Sequence, residues 1–234
     1  MTFKRHILSA ILVLALGGCF TAKAQREYSP NFAIGGRAGV TMSKMSFSPE
    51  VHQKFTNGLT FGLAARYTEE KYFGLIGEIN FTQRGWAENF AEDDAPQFSY
   101  TRTLTYIQIP LMTHIYFGSN KCRGFINLGP EVGFMIGSSI DANFDYKNYG
   151  SIQGFPQGYR TNEQLCMDIQ NKFDYGIAAG AGVELIIKRR HSFFLEGRYY
   201  YGLGNIFKDS KRDFFSASRG MSIEVTLAYM FRVR

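Results

Sequence analysis

Carboxylate and guanidinium side chains recur at alternate positions of several otherwise apolar segments. The set consists of Arg37, Arg66, Glu78, Arg84, Glu131, Asp174, Glu184, Glu196, Arg198 and Glu224. Enclosed groups of this kind pair with one another, and a row of them can also relay protons or ions. Because enclosed charges are costly unless they are paired, we predict that the set forms a structural acid–arginine network.

Histidine and acidic residues outside this set offer little for catalysis or metal binding. His114 is the one histidine in a predicted strand, whereas His52 and His191 lie in connections. A membrane enzyme acting on lipid would need a histidine beside a serine and an acid, and the layout places no serine near His114. The acidic run 92–94 would hold Ca²⁺ only with further oxygen ligands, and no His/Cys cluster suits a transition metal. We therefore expect no catalytic residue, no cofactor and no metal site.

The longest predicted connection, residues 137–172, carries aromatic residues among Gly, Asn and Gln. These are Phe144, Tyr146, Tyr149, Phe155 and Tyr159. Long loops on a rigid scaffold often bind partners, and exposed rings supply contact area. The sequence therefore makes this segment a candidate surface-binding loop. Packing of the same rings over the mouth of the fold is the open alternative.

The charged residues lie in segments with strict two-residue alternation. Between Phe173 and Leu203 two such arms flank a short basic bridge, and in the first arm Tyr175 and Ile177 alternate with Gly176. Successive strand side chains point to opposite faces, so this period predicts strands. Two arms around a tight polar bridge indicate a long antiparallel hairpin.

The same alternation predicts eight strands along the chain. They cover about 32–41, 58–67, 73–86, 102–117, 124–136, 173–185, 193–203 and 220–231. Long and short connections alternate between them, as in bacterial outer-membrane barrels. We predict an all-β fold, an eight-stranded antiparallel up-and-down transmembrane β-barrel with short periplasmic turns and long extracellular loops. Pro110 lies inside the fourth strand and predicts a local irregularity there.

The amino-terminal residues predict an export signal. Lys4 and Arg5 precede an apolar core, and the small-residue site Ala22-Lys23-Ala24 follows. This pattern predicts a signal peptide over residues 1–24 and a barrel domain over residues 25–234. A lipoprotein cleavage box ending at Cys19, which would then be acylated, stays open as the alternative.

The charge and the cysteines of the chain after the signal peptide indicate which partners and which disulfides to expect. The signal peptide holds three basic and no acidic residues, so its removal lowers the formal charge from +6 to +3. No basic stripe interleaved with stacking aromatics occurs, which argues against a nucleic-acid partner. Cys122 and Cys166 are predicted at opposite ends of the barrel, too far apart for a disulfide.

Three features indicate which face of the barrel is outside. Glycine and alanine are frequent at the strand positions that share a face with the charged residues. Small residues there suit a narrow lumen filled by side chains. Aromatic residues end the strands on the apolar parity, as interfacial girdles do: Phe32, Tyr67, Phe73, Phe173, Phe193, Tyr229 and Phe231. All nine lysines after the signal peptide fall in predicted connections, at positions 44, 54, 71, 121, 147, 172, 188, 208 and 211. The apolar parity is therefore predicted to face lipid and the charged parity to be enclosed.

Several short motifs resemble those of a known family. They are the segments 106–111 (YIQIPL), 129–130 (GP), 173–176 (FDYG), 180–184 (GAGVE) and 198–203 (RYYYGL). In this order they resemble the PorT-type outer-membrane β-barrel family over nearly the whole chain after the signal peptide. The resemblance implies an outer-membrane location and an eight-stranded barrel. The secretion and gliding role of the family's namesake does not transfer on these motifs.

We thus expect an integral outer-membrane barrel protein that is not an enzyme and has a structural or a binding and assembly role. Its expected partners are outer-membrane lipid and other envelope proteins. Two other classes stay open: a membrane-embedded enzyme acting on lipid, and a soluble exported lipocalin-like carrier with an apolar cavity.

Overall fold

The computed structural model describes residues 30–158, 160–208 and 213–233. The predicted signal peptide, residues 1–24, and Tyr159 of the candidate loop lie outside the described residues.

Strands account for most of the described chain. They are β1 (Asn31–Ser48), β2 (Gln53–Lys54), β3 (Thr56–Thr68), β4 (Phe73–Glu88), β5 (Tyr100–Gly118), β6 (Cys122–Ala142), β7 (Phe173–Ile187), β8 (His191–Gly202) and β9 (Ala217–Arg232). The long strands pair antiparallel with their neighbours along the chain, and β9 pairs back onto β1. The two-residue β2 pairs with the last residues of β4. The predicted all-β, antiparallel up-and-down barrel is confirmed.

Short connections gather at one end of the barrel and long ones at the other. The short turns cover residues 69–72, 119–121 and 188–190, and we call their side the turn end. The described parts of the loops 89–99, 143–172 and 203–216 lie at the opposite side, the loop end, with the segment 49–55 that contains β2. A one-turn helix, Glu163–Cys166, lies in the longest loop. Within the described ranges, no helix has the length and apolar character needed to cross a membrane.

The strands extend further at the loop end than the sequence predicted. Strand β1 continues to Ser48 and β6 to Ala142. In the extension of β1 the apolar side chains change face, because Met45 and Phe47 point inward and are buried. The prediction from sequence placed apolar residues on the outward face only, so it ended the strand where this change occurs. The longer strands also correct the lysine prediction, since Lys44 lies in β1 and Lys54 in β2.

The irregularity predicted at Pro110 is confirmed. Pairing of β5 with β4 is interrupted between the pairs Gly77–Leu111 and Asn80–Gln108. The pairing of β5 with β6 is also interrupted next to this proline. Its register shifts between Thr105 and Tyr106, earlier in the same strand. A proline has no N–H to donate to the neighbouring strand, so the ladder opens around it.

The two faces of the barrel wall differ as predicted. The apolar side chains Ile177 and Leu195 point outward and are 51% and 49% exposed, whereas Arg198 is 2% exposed. The barrel therefore carries its apolar parity outside and encloses the charged parity.

Candidate functional site

Every charged residue of the predicted network lies inside the barrel. The strands β1, β3, β4, β6, β7, β8 and β9 contribute them, because their charged positions share the inward parity. The enclosed residues are Arg37, Arg66, Glu78, Arg84, Glu131, Asp174, Glu184, Glu196, Arg198 and Glu224, all buried. Together they form a charged layer across the lumen.

Glu78 occupies the centre of this charged layer. Arg198 donates two hydrogen bonds to its carboxylate, of 2.8 and 2.9 Å, and Arg37 donates another. Arg198 also donates to Glu196 at 2.9 Å. The Arg37 guanidinium lies 3.5 Å from the Glu224 carboxylate. Paired hydrogen bonds between a guanidinium and a carboxylate are short and directional, so they fix both side chains.

A second group of the charged layer lies toward the loop end. Arg84 pairs with Glu131 and stands 3.6 Å from Asp174. Its guanidinium lies 3.8 Å from the ring centroid of Tyr200, whose hydroxyl donates to Asp174 at 2.8 Å. The ring thus completes a cation–π contact and a hydrogen bond at once.

A third group lies toward the turn end. Arg66 donates to Glu184 at 2.9 Å, and its guanidinium lies 5.0 Å from the Phe194 ring centroid. Arg123, which the sequence analysis did not include, approaches the same carboxylate at 4.0 Å and is partly exposed. The lumen therefore holds ion pairs along much of its length.

Uncharged polar side chains complete the charged layer, although none of them belongs to the network predicted from the sequence. They share the inward parity of the charged residues, which is the signal that identifies them. Asn80 donates to Glu78 at 2.8 Å, Gln108 to Glu131 at 2.7 Å and Asn127 to Glu196 at 2.8 Å.

Apolar side chains cover the charged layer at both ends. Toward the turn end, the buried cluster contains Ala33, Ala64, Tyr116, Phe125, Phe194 and Met230. Toward the loop end, a larger cluster, which we call the cap core, contains Met45, Phe47, Val51, Trp86, Phe90, Ala95, Tyr100, Leu104, Tyr106, Met135, Phe155, Leu165, Ile206, Phe207 and Phe215. The charged layer thus lies below the cap core, and at the turn end the Arg66–Glu184 pair packs among the side chains of the smaller apolar cluster.

The cap core joins the strand extensions to the long loops. Trp86 of β4 meets Phe47 edge-on, with ring centroids 5.3 Å apart, and Phe207 and Phe215 of the loop 203–216 stack beside them. Such ring pairs add specific geometry to the burial of apolar area. The loops and strand extensions therefore form a folded cap over the barrel mouth.

A buried ion pair fixes the longest loop to the cap. The Arg160 guanidinium pairs with Glu88 at the end of β4 and with Asp93 in the loop 89–99, and its side chain is 2% exposed. Trp86 donates to the same Glu88 carboxylate at 2.9 Å, and the guanidinium lies 4.1 Å from the Phe90 ring centroid. Removal of one partner would leave buried charge unpaired, so these contacts hold the loop in place.

The aromatic rings of the candidate surface-binding loop are more buried than the rings of an exposed binding surface would be. Phe155 is buried in the cap core, and Phe144, Tyr146 and Tyr149 are partly buried against it. Phe155 is enclosed by neighbouring rings, and the binding role of this loop stays a prediction. The alternative of packing over the mouth describes these four residues better.

Part of the cap surface is concave. A hollow of about 390 Å³ opens between the loop 143–172 and Phe214. Tyr149, Gln157, Asn162 and Glu163 are among its lining residues. Phe214 is 48% exposed, so the hollow combines an exposed ring with amide and carboxylate groups.

Cys122 and Cys166 are free thiols at opposite ends of the barrel. The Cys166 thiol donates to the Tyr146 carbonyl at 2.7 Å. Partial burial raises the pKa of the Cys166 thiol, and the nearby carboxylates of Glu163 and Asp145 raise it further. A thiol held protonated is a poor nucleophile, so Cys166 does not suit covalent catalysis.

The histidines of the described residues do not form a catalytic arrangement. His114 is fully buried, and its Nδ1 lies 2.7 Å from Asn127 Oδ1. His52 meets Asp93 at 3.0 Å on the cap surface, but among the described residues no serine or cysteine shares a hydrogen bond with its ring. The described part of the chain also holds no group of three or more His, Cys, Asp or Glu residues placed for a metal ion.

Comparisons with solved structures find outer-membrane proteins that are similar at low sequence identity. The outer membrane protein OprG of Pseudomonas aeruginosa is 9% identical, with 89% of this chain and 98% of that chain covered and a TM-score of 0.53. Neisserial surface protein A is 14% identical over 87% and 99% of the two chains, with a TM-score of 0.47. The attachment invasion locus protein Ail of Yersinia pestis is 13% identical over 86% and 99%, with a TM-score of 0.41. At 9% identity the likeness to OprG concerns the fold alone.

A comparison with curated proteins gives no match. The family model of the outer membrane protein beta-barrel domain matches residues 23–208, most of the chain. The apolar outer wall and the enclosed charged layer agree with that family's setting in a bilayer. This protein belongs to the outer membrane protein beta-barrel domain family and is an outer-membrane protein.

Proposed function

We propose that the protein is a non-conducting, non-enzymatic, eight-stranded barrel that works by binding through the outer surface of its cap. In this proposal the short turns face the periplasm and the cap faces the exterior. Outer-membrane lipid and other envelope proteins are its partners. The PorT-type resemblance remains part of the proposal, as does the signal peptide over residues 1–24.

The observation that carries the proposal is a lumen filled by the charged layer and by the apolar clusters at its two ends. About eight strands leave an interior just wide enough for side chains to fill. Here Glu78 and its guanidinium partners fill the middle, while Phe194 and Phe207 belong to the two covering layers. Ions crossing such an interior would have to displace buried pairs and enter apolar layers, which is costly.

The two other functional classes are less well supported. A soluble carrier would hold its apolar parity inside, whereas Ile177 and Leu195 lie on the outer wall. An enzyme acting on lipid would need an accessible base beside a nucleophile, and His114 is enclosed with Asn127 as its partner. The folded cap is a surface that a barrel with short loops would lack, so it remains the candidate for binding.

The sealed interior predicts the electrical behaviour of the protein. In planar lipid bilayers the purified full-length chain should give no stable open-channel steps, because the lumen is filled by paired charges and closed at both ends. Single-channel recording checks this, with a mock preparation from cells lacking the protein as background. Large, long-lived conductance above that background would contradict the sealed lumen.

The cap hollow predicts where a partner makes contact. A photo-crosslinking residue replacing Phe214, which is 48% exposed on the cap, should form adducts of defined mass with an envelope macromolecule in intact cells. The same residue at Lys121, exposed at the turn end, is the matched control and should not form those adducts. Lipid adducts from Leu63 on the outer wall, 72% exposed, verify that the chemistry works. Absence of protein or glycan adducts at position 214 under those conditions would contradict binding through the cap.

A further inference from the structure

The turn between β7 and β8 has an unusual composition for its backbone geometry. It consists of Lys188, Arg189 and Arg190, and the first two have positive φ angles of 51° and 60°. Arg190 N donates to Ile187 O, which closes the turn. Tight hairpin turns with two positive φ angles strongly favour Asn and Gly. Long basic side chains at these positions are unfavourable for folding, and such outliers often mark a functional constraint.

These basic side chains are free to meet a ligand. All three are exposed, and among the described residues none of them forms an ion pair within 4.0 Å. Arg232 N donates to Arg190 O at 2.8 Å, so the last residue of β9 adds a fourth basic residue beside the turn. We call these four residues the basic rim: Lys188, Arg189, Arg190 and Arg232.

An apolar groove lies on the outer wall next to the basic rim. Gly36 and Ala38 of β1 form its floor, where side chains are smallest, and its volume is about 750 Å³. Phe193 and Tyr229 border it on one side and Leu63 on the other. The groove is therefore a dry channel on the wall that faces lipid.

The basic rim and the groove are aligned along the same strands. Arg190 precedes Phe193 by three residues in the hairpin, and Arg232 follows Tyr229 by three residues in β9. At about 3.3 Å per residue, the charges lie roughly 10 Å from the near end of the groove. Between them the Tyr229 hydroxyl and His191 Nδ1 lie 2.8 Å apart, at a height that suits the bilayer interface.

We propose that this surface binds an anionic glycerophospholipid, with its phosphate on the basic rim and one acyl chain in the groove. Guanidinium and ammonium groups match a phosphate, whereas the groove is lined mainly by apolar surface, so neither half alone explains the arrangement. The identity of the leaflet, the periplasmic one, rests on the proposed orientation of the barrel. The site itself does not depend on that orientation or on binding through the cap.

Native mass spectrometry of the full-length protein tests the basic rim. Detergent micelles are loaded with dioleoylphosphatidylglycerol or with dioleoylphosphatidylcholine, and we expect preferential retention of one phosphatidylglycerol molecule. The double variant Lys188→Asn, Arg189→Gly removes two charges and supplies the residues that the turn favours, so it should fold at least as well as its parent. Its affinity for phosphatidylglycerol should fall about fivefold per charge, hence about 25-fold. Lys54→Gln with Lys147→Gln removes two charges at the loop end and should change nothing.

A second pair of variants tests the groove. Gly36→Leu fills the floor, where an added Cβ meets nothing closer than the Gly62 carbonyl oxygen at 3.5 Å, and it should lower retention of both lipids. Gly197→Leu is the matched control, since a Cβ there meets nothing within 4 Å. Unchanged phosphatidylglycerol preference in the turn variant, or unchanged retention in Gly36→Leu, overturns the proposal. Loss of a dimer in Gly36→Leu with no effect of the turn variant would make the groove a contact between copies and would also overturn it.

Discussion

Replacement of Glu78 by glutamine is expected to destabilise the barrel by about 3–5 kcal/mol, the cost of breaking a buried ion pair from one side. Glu78 accepts hydrogen bonds from both Arg198 and Arg37. Glutamine keeps the volume of the side chain but not its charge, so two guanidiniums remain in the lumen without their central carboxylate. The loss therefore comes from electrostatics and not from a cavity.

Urea unfolding of the protein in lipid vesicles, followed by circular dichroism and by heat-modifiable gel mobility, measures this effect. Glu69→Gln, at an exposed position of a turn, is the matched control and should stay within about 0.5 kcal/mol of the parent. A Glu78→Gln variant as stable as its parent would contradict a central role for this carboxylate.

Replacement of Ile177 by arginine is expected to cost about 2–4 kcal/mol of barrel stability in a bilayer. Ile177 lies on the outer wall of β7 and is 51% exposed, with the side chains of Pro130 and Tyr201 opposite it on the neighbouring strands. At this height an arginine would be placed in hydrocarbon, where a charge is least tolerated.

The same unfolding measurement in vesicles checks this prediction, and Leu195→Arg provides an independent second position on the wall. Val233→Arg is the control, because it adds the same charge at an exposed position just beyond the end of β9, where the penalty should fall to about 0–1 kcal/mol. Efficient insertion and full stability of both Ile177→Arg and Leu195→Arg would reverse the assignment of the two faces.

The cap shows where inference from alternation stops. The single tryptophan, Trp86, shares the inward parity of Glu78 and Arg84, and is fully buried. In the middle of the barrel the inward-facing positions carry charged side chains, whereas near the loop end they carry aromatic rings. A rule based on one polar and one apolar parity has no means of predicting the change, because it depends on whether lipid or folded loops surround that height of the strand.

The choice of ion-pair partners within the lumen also could not be predicted from the sequence. Parity brings Glu78, Glu196 and Glu224 to the same enclosed space, but it does not say which carboxylate receives both guanidiniums. That choice depends on the relative height of residues on different strands, which the register and tilt of the closed sheet set. The residues Arg198 and Glu78, which are 120 positions apart in the chain, meet only after closure.

The sequence by itself determined the strands, the outward apolar face and the enclosed charges. These follow from the two-residue period of a strand, which is a local property of the chain. Tertiary structure alone decided the pairing in the lumen, the folded cap and the alignment of the basic rim with the apolar groove. Each of these depends on residues far apart in the chain, whose positions become fixed only when the barrel closes and the loops pack on it.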